Sequence, residues 1–240
     1  MDEHKHHTTE HLSTSTHHKI TEDGKERKPV DSKKSLITVF IILGIIVVVI
    51  AALIFLSKYL SNNKSAGAIE YNHYAFQKYE GNKWMTQQMI RGKLYDIPFY
   101  YNPTQVLDIP IDPYSISRIR NFSYNPNGTV YVSVDPNESS KVVLAAVEYV
   151  RILGKQYDIY NMDVKSAINK PVVNQTTDYS IVTCKNQSIN TLVIYQTISD
   201  KNLVSVKGNC IIIEAINATE TVRVADAFSF KLLDIIPLNT

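Results

Sequence analysis

The chain predicts an α+β protein carried behind one N-terminal transmembrane helix, and three observations carry that reading. Residues 35–57 contain no charged side chain. Beyond residue 69, β-branched and aromatic runs alternate with Gly, Pro and Asn turn signals. Two of those runs lead into apolar stretches of helical period, each preceded by Asn, a residue suited to helix starts.

Of the 240 residues, 44% are hydrophobic and 20% charged, but the distribution is uneven. The segment 1–34 holds six of the seven histidines, seven acids and seven Lys or Arg, with almost no large apolar residue. It cannot bury enough surface to offset its ordering entropy and is expected to be a disordered tail. His4, His6, His7, His11, His17 and His18 are weak candidates for collecting Zn²⁺ or Ni²⁺. They lack the cysteines and fixed spacing of a structural zinc site, so no metal is assigned.

From Leu36 to Leu56 the run of Leu, Ile, Val, Phe and Ala is broken only by Thr38 and Gly44. At about 1.5 Å per residue it spans roughly 30 Å of hydrocarbon, so 35–57 is expected to be a transmembrane helix. The run exceeds the usual apolar core of a signal peptide, and the nearest small-x-small site, Ala66-Gly67-Ala68, lies well past its end. Lys25, Arg27, Lys28, Lys33 and Lys34 precede the segment, against Lys58 and Lys64 after it. This bias retains the N-terminus in the cytoplasm, giving a type II signal-anchor in the cell membrane with the C-terminal part extracytoplasmic. Residues 58–68 read as a short polar stalk, and 69–240 as one extracytoplasmic domain.

In that domain Tyr74–Tyr79, Trp84–Arg91 and Leu94–Tyr101, separated by Glu80-Gly81-Asn82 and Gly92, read as a three-stranded meander. Pro98 demotes the third run to an edge strand or bulge. Asn102–Tyr124, with Pro103, Pro110 and Pro113, reads as a connector with a short helix near Ser115–Asn121. Thr129–Val134 is β-branched and alternating, and a helix follows over Ser139–Leu153, stopped by Gly154. Its polar residues Lys141, Glu148 and Arg151 share one narrow stripe, so most of its circumference should be covered. Further strands are expected at Tyr157–Tyr160, Ser180–Cys184, Leu192–Thr197, Leu203–Val206 and Cys210–Glu214. Asn217 with Glu220 opens a second helix over Val222–Ile236, with Arg223, Asp226 and Asp234 outward. Asn137 and Asn217 thus begin two strand-to-helix units at an offset of 80 residues, which would pack on a mixed sheet.

The stretch Gly92–Pro103, the Asp135-Pro136 turn, Thr183-Cys184 and Gly208-Asn209-Cys210-Ile211 resemble uncharacterised single-span membrane proteins of small-celled archaea. The resemblance covers most of residues 69–236. It implies a membrane compartment and one outer domain, and carries no activity or site residue.

Cys184 and Cys210 are the only cysteines, and in an oxidising compartment one disulfide is their simplest arrangement. Two buried thiols or a redox pair are the alternatives, although CxxC spacing is missing. Asn-x-Ser/Thr sequons stand at Asn63, Asn121, Asn127, Asn137, Asn174, Asn186 and Asn217, more than composition alone provides, and mark a candidate glycoprotein surface. Local structure competes for some of them: Asn137 and Asn217 sit where helix caps belong, and Asn127-Gly128 is a turn. Tyr71, Tyr74, Phe76, Tyr79, Trp84, Tyr95, Phe99, Tyr100 and Tyr101 form an aromatic concentration suited to a binding face or to sheet packing.

For catalysis the inventory is thin. His73 is the sole histidine beyond the apolar segment, and no GxSxG, HExxH or phosphate-cradling glycine loop is present. Asp108, Asp112 and Asp135 could serve a carboxylate hydrolase, but nothing selects two of them. With 17 basic and 16 acidic residues from residue 61 onward, charge gives no support to nucleic-acid binding. The expected function is a non-catalytic binding or structural module of the cell surface or secretion machinery, tethered to the bilayer, with a protein or envelope partner and no cofactor. An extracytoplasmic hydrolase and a pilin-like subunit are the alternatives. N-terminal sequencing of the membrane-extracted protein separates them: an intact start supports the anchor, an end near Ser35 points to pilin-type processing, and one near Ala68 to release.

Overall fold

In a computed structural model of the protein, residues 32–62, 67–173 and 178–238 are described, and the chain divides into two units, 1–62 and 63–240. The six tail histidines and the sequons at Asn63 and Asn174 lie outside the described residues.

The described residues of the first unit form one helix, α1, Ser32–Asn62. Its Phe40–Ser57 window has a mean hydropathy of 3.3 with no side chain buried, so α1 is long and apolar enough to cross a membrane. The helix continues past both ends of the uncharged segment, because helical hydrogen bonding extends readily through Lys-containing flanks.

The second unit is α+β, built on two sheets. The first is an antiparallel meander of β1 (Ile69–Tyr71), β2 (Tyr74–Tyr79), β3 (Lys83–Ile90) and β4 (Lys93–Phe99), in that order. It has one strand more than the sequence reading. Asn72 and His73 (φ 47° and 69°) make the tight β1–β2 turn, where two consecutive left-handed residues match the twist of the strands they join. Pro98 sits in β4, an edge strand, where its missing N–H costs no ladder bond.

Helix α2 (Pro113–Phe122) starts on Pro113, with the Asp112 carboxylate accepting from Tyr114 N–H at 2.9 Å. The second sheet contains β5 (Thr129–Val134), β6 (Asp163–Ile168), β7 (Thr191–Ile198), β8 (Leu203–Lys207) and β9 (Cys210–Ala215), ordered β6-β5-β7-β9-β8. All its pairings are parallel except the β8–β9 hairpin. Helix α3 (Ser140–Leu153) connects β5 to β6, and α4 (Ala218–Leu232) follows β9.

Two expected strands are corrected. Tyr157–Tyr160 is a bend, because Asp158 and then Asn161 take left-handed backbone (φ 56° and 53°), and the strand begins only at Asp163. Ser180–Cys184 keeps a single bridge, Ile181 to Ile168, before turning at Cys184–Asn186. The two strand-to-helix units also start differently. Asn217 caps α4, accepting from Thr219 and Glu220 N–H at 2.9 and 3.0 Å, whereas the N-cap of α3 is Ser139.

Helix α4 is buried along nearly its whole circumference. Phe230 packs on Phe76 and Phe99 of the meander, with ring centroids 5.7 and 4.4 Å away, while Phe228 meets Tyr149 of α3 at 5.8 Å. On the opposite face of the mixed sheet, Cys184 and Cys210 hold their sulfurs at disulfide distance, 2.01 Å, beside Ala167, Val182 and Val193. A bond across 26 residues stabilises by about 3.5 kcal/mol in the chain-entropy model. Replacing both cysteines by Ala should therefore lower the thermal midpoint by roughly 7–14 °C, at about 2–4 °C per kcal/mol. An unchanged midpoint, or full alkylation of both thiols in denatured, unreduced protein, would argue against the bond.

Candidate functional site

Helix α3 buries an apolar face of Val142, Ala145, Ala146, Tyr149, Ile152 and Leu153, and takes Glu148 in with it at 4% exposure. Lys141 stays exposed, its Nζ donating to Thr219 Oγ1 on α4 at 2.8 Å. Val143 and Val147 are 52% and 43% exposed. One helical turn apart, they share a face. With Val150 of α3, Val164, Ser166 and Ile168 of β6, and Val172 and Tyr179 beyond it, they line an apolar groove of about 580 Å³.

A buried ion pair accompanies the inward apolar face of α3. Glu148 pairs with Arg151, which also donates to the Pro98 carbonyl of β4 at 3.0 Å. Facing them, Asp226 of α4 is fully buried, and one of its oxygens accepts from Tyr100 and Tyr101 N–H at 2.9 and 2.7 Å. Asp226 was expected outward; α4 is covered on that side by the chain leaving β4, and the carboxylate satisfies backbone donors that would otherwise be stranded. Its other oxygen has no hydrogen-bond partner among the described residues. Burial, and then the charge of Glu148, push Asp226 well above the usual carboxylate range, with the two N–H donors and Arg151 opposing. Burial likewise raises Glu148, against Arg151 and Lys83.

A second cavity, about 620 Å³, lies between the 106–113 connector, the end of α4 and the 236–238 segment. Its charged residues are already engaged: Asp108 pairs with Arg223, and Lys231 donates to the Pro237 carbonyl. The other candidate carboxylates are also committed, Asp112 to the α2 cap and Asp135 to Lys170 at 2.6 Å and to the turn at Asn137. Burial raises Asp135, but the Lys170 and Asn137 donors outweigh it, leaving the carboxyl below its ordinary range. The described residues bring together no group of three His, Cys, Asp or Glu able to hold a metal.

The aromatic concentration divides. Phe76, Trp84 and Phe99 are buried in the core, and Tyr95 packs edge-on against Tyr157 with centroids 5.7 Å apart. Tyr71, Tyr74, Tyr100 and Tyr101 are half-buried against the same core, leaving Tyr79 exposed. His73 is taken up in the β1–β2 turn. Among the sequons, Asn121, Asn127, Asn186 and Asn217 are exposed. Asn137 is exposed too, but its amide nitrogen donates to the Pro171 carbonyl at 3.0 Å, a bond that a glycan there would displace. The α3 groove was missed because its residues are ordinary core formers; the available signal was the Glu148–Arg151 spacing, which permits an internal pair.

The buried acids generate a pH prediction. A carboxyl whose folded pKa is raised contributes stability fully below its unfolded pKa, about 3.9 for Asp, and loses it as pH rises through the folded value. Asp226→Asn keeps an acceptor for Tyr100 and Tyr101 N–H and removes the buried charge. Its thermal midpoint relative to the native chain should therefore be most favourable near pH 8 and decline towards pH 4. A pH-independent difference would show that Asp226 carries no such linkage.

Compared with known protein families, curated proteins and solved structures, the chain finds no match, so its function rests on the site geometry.

Proposed function

We propose that this protein is a membrane-anchored binding module whose extracytoplasmic domain holds a protein partner in the groove between α3 and β6. The observation that carries the reading is the placement of Val143 and Val147 in solvent while Glu148 of the same helix is buried. An apolar helix face left open beside a groove gains free energy when a partner covers it, at roughly 25 cal/mol per Å² of apolar surface. A bilayer tether through α1, with the basic flank 25–34 on the cytoplasmic side, raises the local concentration of partners in the same membrane or envelope. A modest groove then suffices. The same topology places Cys184 and Cys210 in an oxidising compartment and the exposed sequons within reach of glycosylation. The likeness to archaeal single-span proteins fits this arrangement of one anchor and one outer domain.

The test is Val147→Lys in the full-length membrane protein. Because the side chain is already partly in solvent, the thermal midpoint should stay within about 2 °C, in keeping with the small effect of surface substitutions. Crosslinking in native membranes should lose the partner at least tenfold, whereas Tyr79→Ala, on the exposed part of the aromatic region, should leave it unchanged. Partners lost with Tyr79→Ala and kept with Val147→Lys would move the contact surface to the meander.

A further inference from the structure

Strands β5, β7 and β9 run parallel, so the segments that enter them, 123–128, 184–190 and 208–209, meet at one end of the mixed sheet. Hydrogen bonds hold them together. Asn125 Nδ2 donates to the Ile189 carbonyl and to Asn190 Oδ1 at 3.0 and 3.1 Å, and Thr129 N–H donates to the Asn190 carbonyl at 2.9 Å. Gln187 Oε1 accepts from Asn209 N–H, and Asn209 Nδ2 donates to the Ser188 carbonyl at 2.6 Å. Helix α2 completes this surface, since Tyr114 and Asn121 line a small recess with Val206 and Gly208.

Two kinds of residue concentrate here. Three sequons, Asn121, Asn127 and Asn186, stand exposed on this end. Asn121 and Asn127 make no side-chain hydrogen bond among the described residues, and Asn186 uses only its Oδ1, accepting from Thr183 N–H at 2.9 Å. All three amide nitrogens are therefore open to a sugar linkage. Asn137 differs: its Nδ2 donates to the Pro171 carbonyl and its Oδ1 accepts from Val173 N–H, both at 3.0 Å. The same end carries the three most exposed large apolar or aromatic side chains described in the second unit, Tyr124 at 85%, Ile189 at 83% and Tyr114 at 76%. Scattered singly, such residues are ordinary; gathered at one end, they gain from cover. The chain places attachment points for that cover around them. Asn127 occupies the corner of a tight turn, with Gly128 N–H donating to the Asn125 carbonyl at 3.0 Å, and Tyr124 immediately precedes that turn. A sugar ring presents a face of C–H groups as well as hydroxyls, so it covers aromatic and aliphatic surface while staying hydrated outward.

We infer that N-linked glycans on Asn121, Asn127 and Asn186 form a sugar cap over this end of the domain, covering Tyr114, Tyr124 and Ile189. This rests on the extracytoplasmic reading of the domain and deepens it by naming which acceptors are used and what the sugars cover. A membrane transferase joins the anomeric carbon of a lipid-phosphate-linked oligosaccharide to Asn Nδ2; the bond from that carbon to the phosphate oxygen breaks, and the amide proton leaves with the lipid phosphate. The cap closes this end of the sheet to protein partners.

The test begins with glycopeptide mass spectrometry of the full-length protein from its native membranes. Asn121, Asn127 and Asn186 should carry sugar on most molecules, and Asn137 on none. Hydroxyl-radical footprinting then reads the cover. In a variant combining Asn121→Gln, Asn127→Gln and Asn186→Asp, the last keeping the acceptor for Thr183 N–H, oxidation of Tyr124 and Ile189 should rise roughly threefold or more over the native chain. The fully buried Tyr149 should not change. If that variant does not fold, enzymatic deglycosylation of the native protein supplies the same comparison. Empty sequons at this end, sugar on Asn137 instead, or equal oxidation with and without sugar would overturn the cap. So would a protein crosslinked through Tyr124, which would make this end an interface. The compartment is read separately, by alkylation of the denatured, unreduced protein from native membranes. If the sequons are empty while Cys184 and Cys210 resist alkylation, the outer location stands and only the cap falls; if both thiols also label, both fall.

Discussion

Burial of α4 is the constraint on which the α+β unit depends. A helix covered nearly all round needs neighbours on every side, and each layer of the domain supplies one. The meander contributes Phe76 and Phe99 against Phe230, α3 contributes Tyr149 against Phe228, and the mixed sheet contributes β9, which leads directly into the helix. The packing joins sequence-distant segments, so the meander and the mixed sheet share one core despite belonging to separate hydrogen-bonded sheets. Losing a large aromatic at this junction would open a cavity touching all three layers, the costliest kind of core change.

Such burial brings polar groups inside, and the domain satisfies them through backbone. Asp226 serves the two N–H groups where the chain leaves β4, and Arg151 reaches a β4 carbonyl while pairing with Glu148. Gln196 of β7 bridges the Tyr149 hydroxyl and the Val142 carbonyl, tying the sheet to α3 at 3.0 and 2.7 Å. These bonds fix the rotation of α3 about its axis. With Glu148, Tyr149 and Arg151 facing inward, Val143 and Val147 are left without cover among the described residues. The groove thus lies on the face that the buried polar network leaves outward, which links core energetics to the surface proposed for binding.

Edges follow the same economy. One free edge is met by the 110–112 connector, another carries proline, and the end of β6 is held by the segment carrying Val182 next to Cys184. The disulfide ties that segment to β9 beside a small apolar cluster of Ala167, Val182 and Val193, separate from the main core.

Local rules made much of the architecture legible in the residues themselves. Periodicity located the meander, β5, β7, β8, β9 and both strand-to-helix units; the uncharged run located α1; turn chemistry located Gly92 and the Asn217 cap; and two cysteines allowed only one intramolecular pair. Each of these depends on neighbours a few residues apart or on a count. What local rules could not decide was orientation and partner choice. Tyr157–Tyr160 has strand composition but bends at Asp158, Asp226 reads as a surface residue but serves the distant Tyr100 and Tyr101, and the polar stripe of α3 gives no sign of which side faces α4. The candidate groove was the least legible part, since valines on a helix and a strand read as core until the rest of the fold declines to cover them. That outcome depends on contacts between segments far apart in the chain, which is why tertiary structure alone determined it.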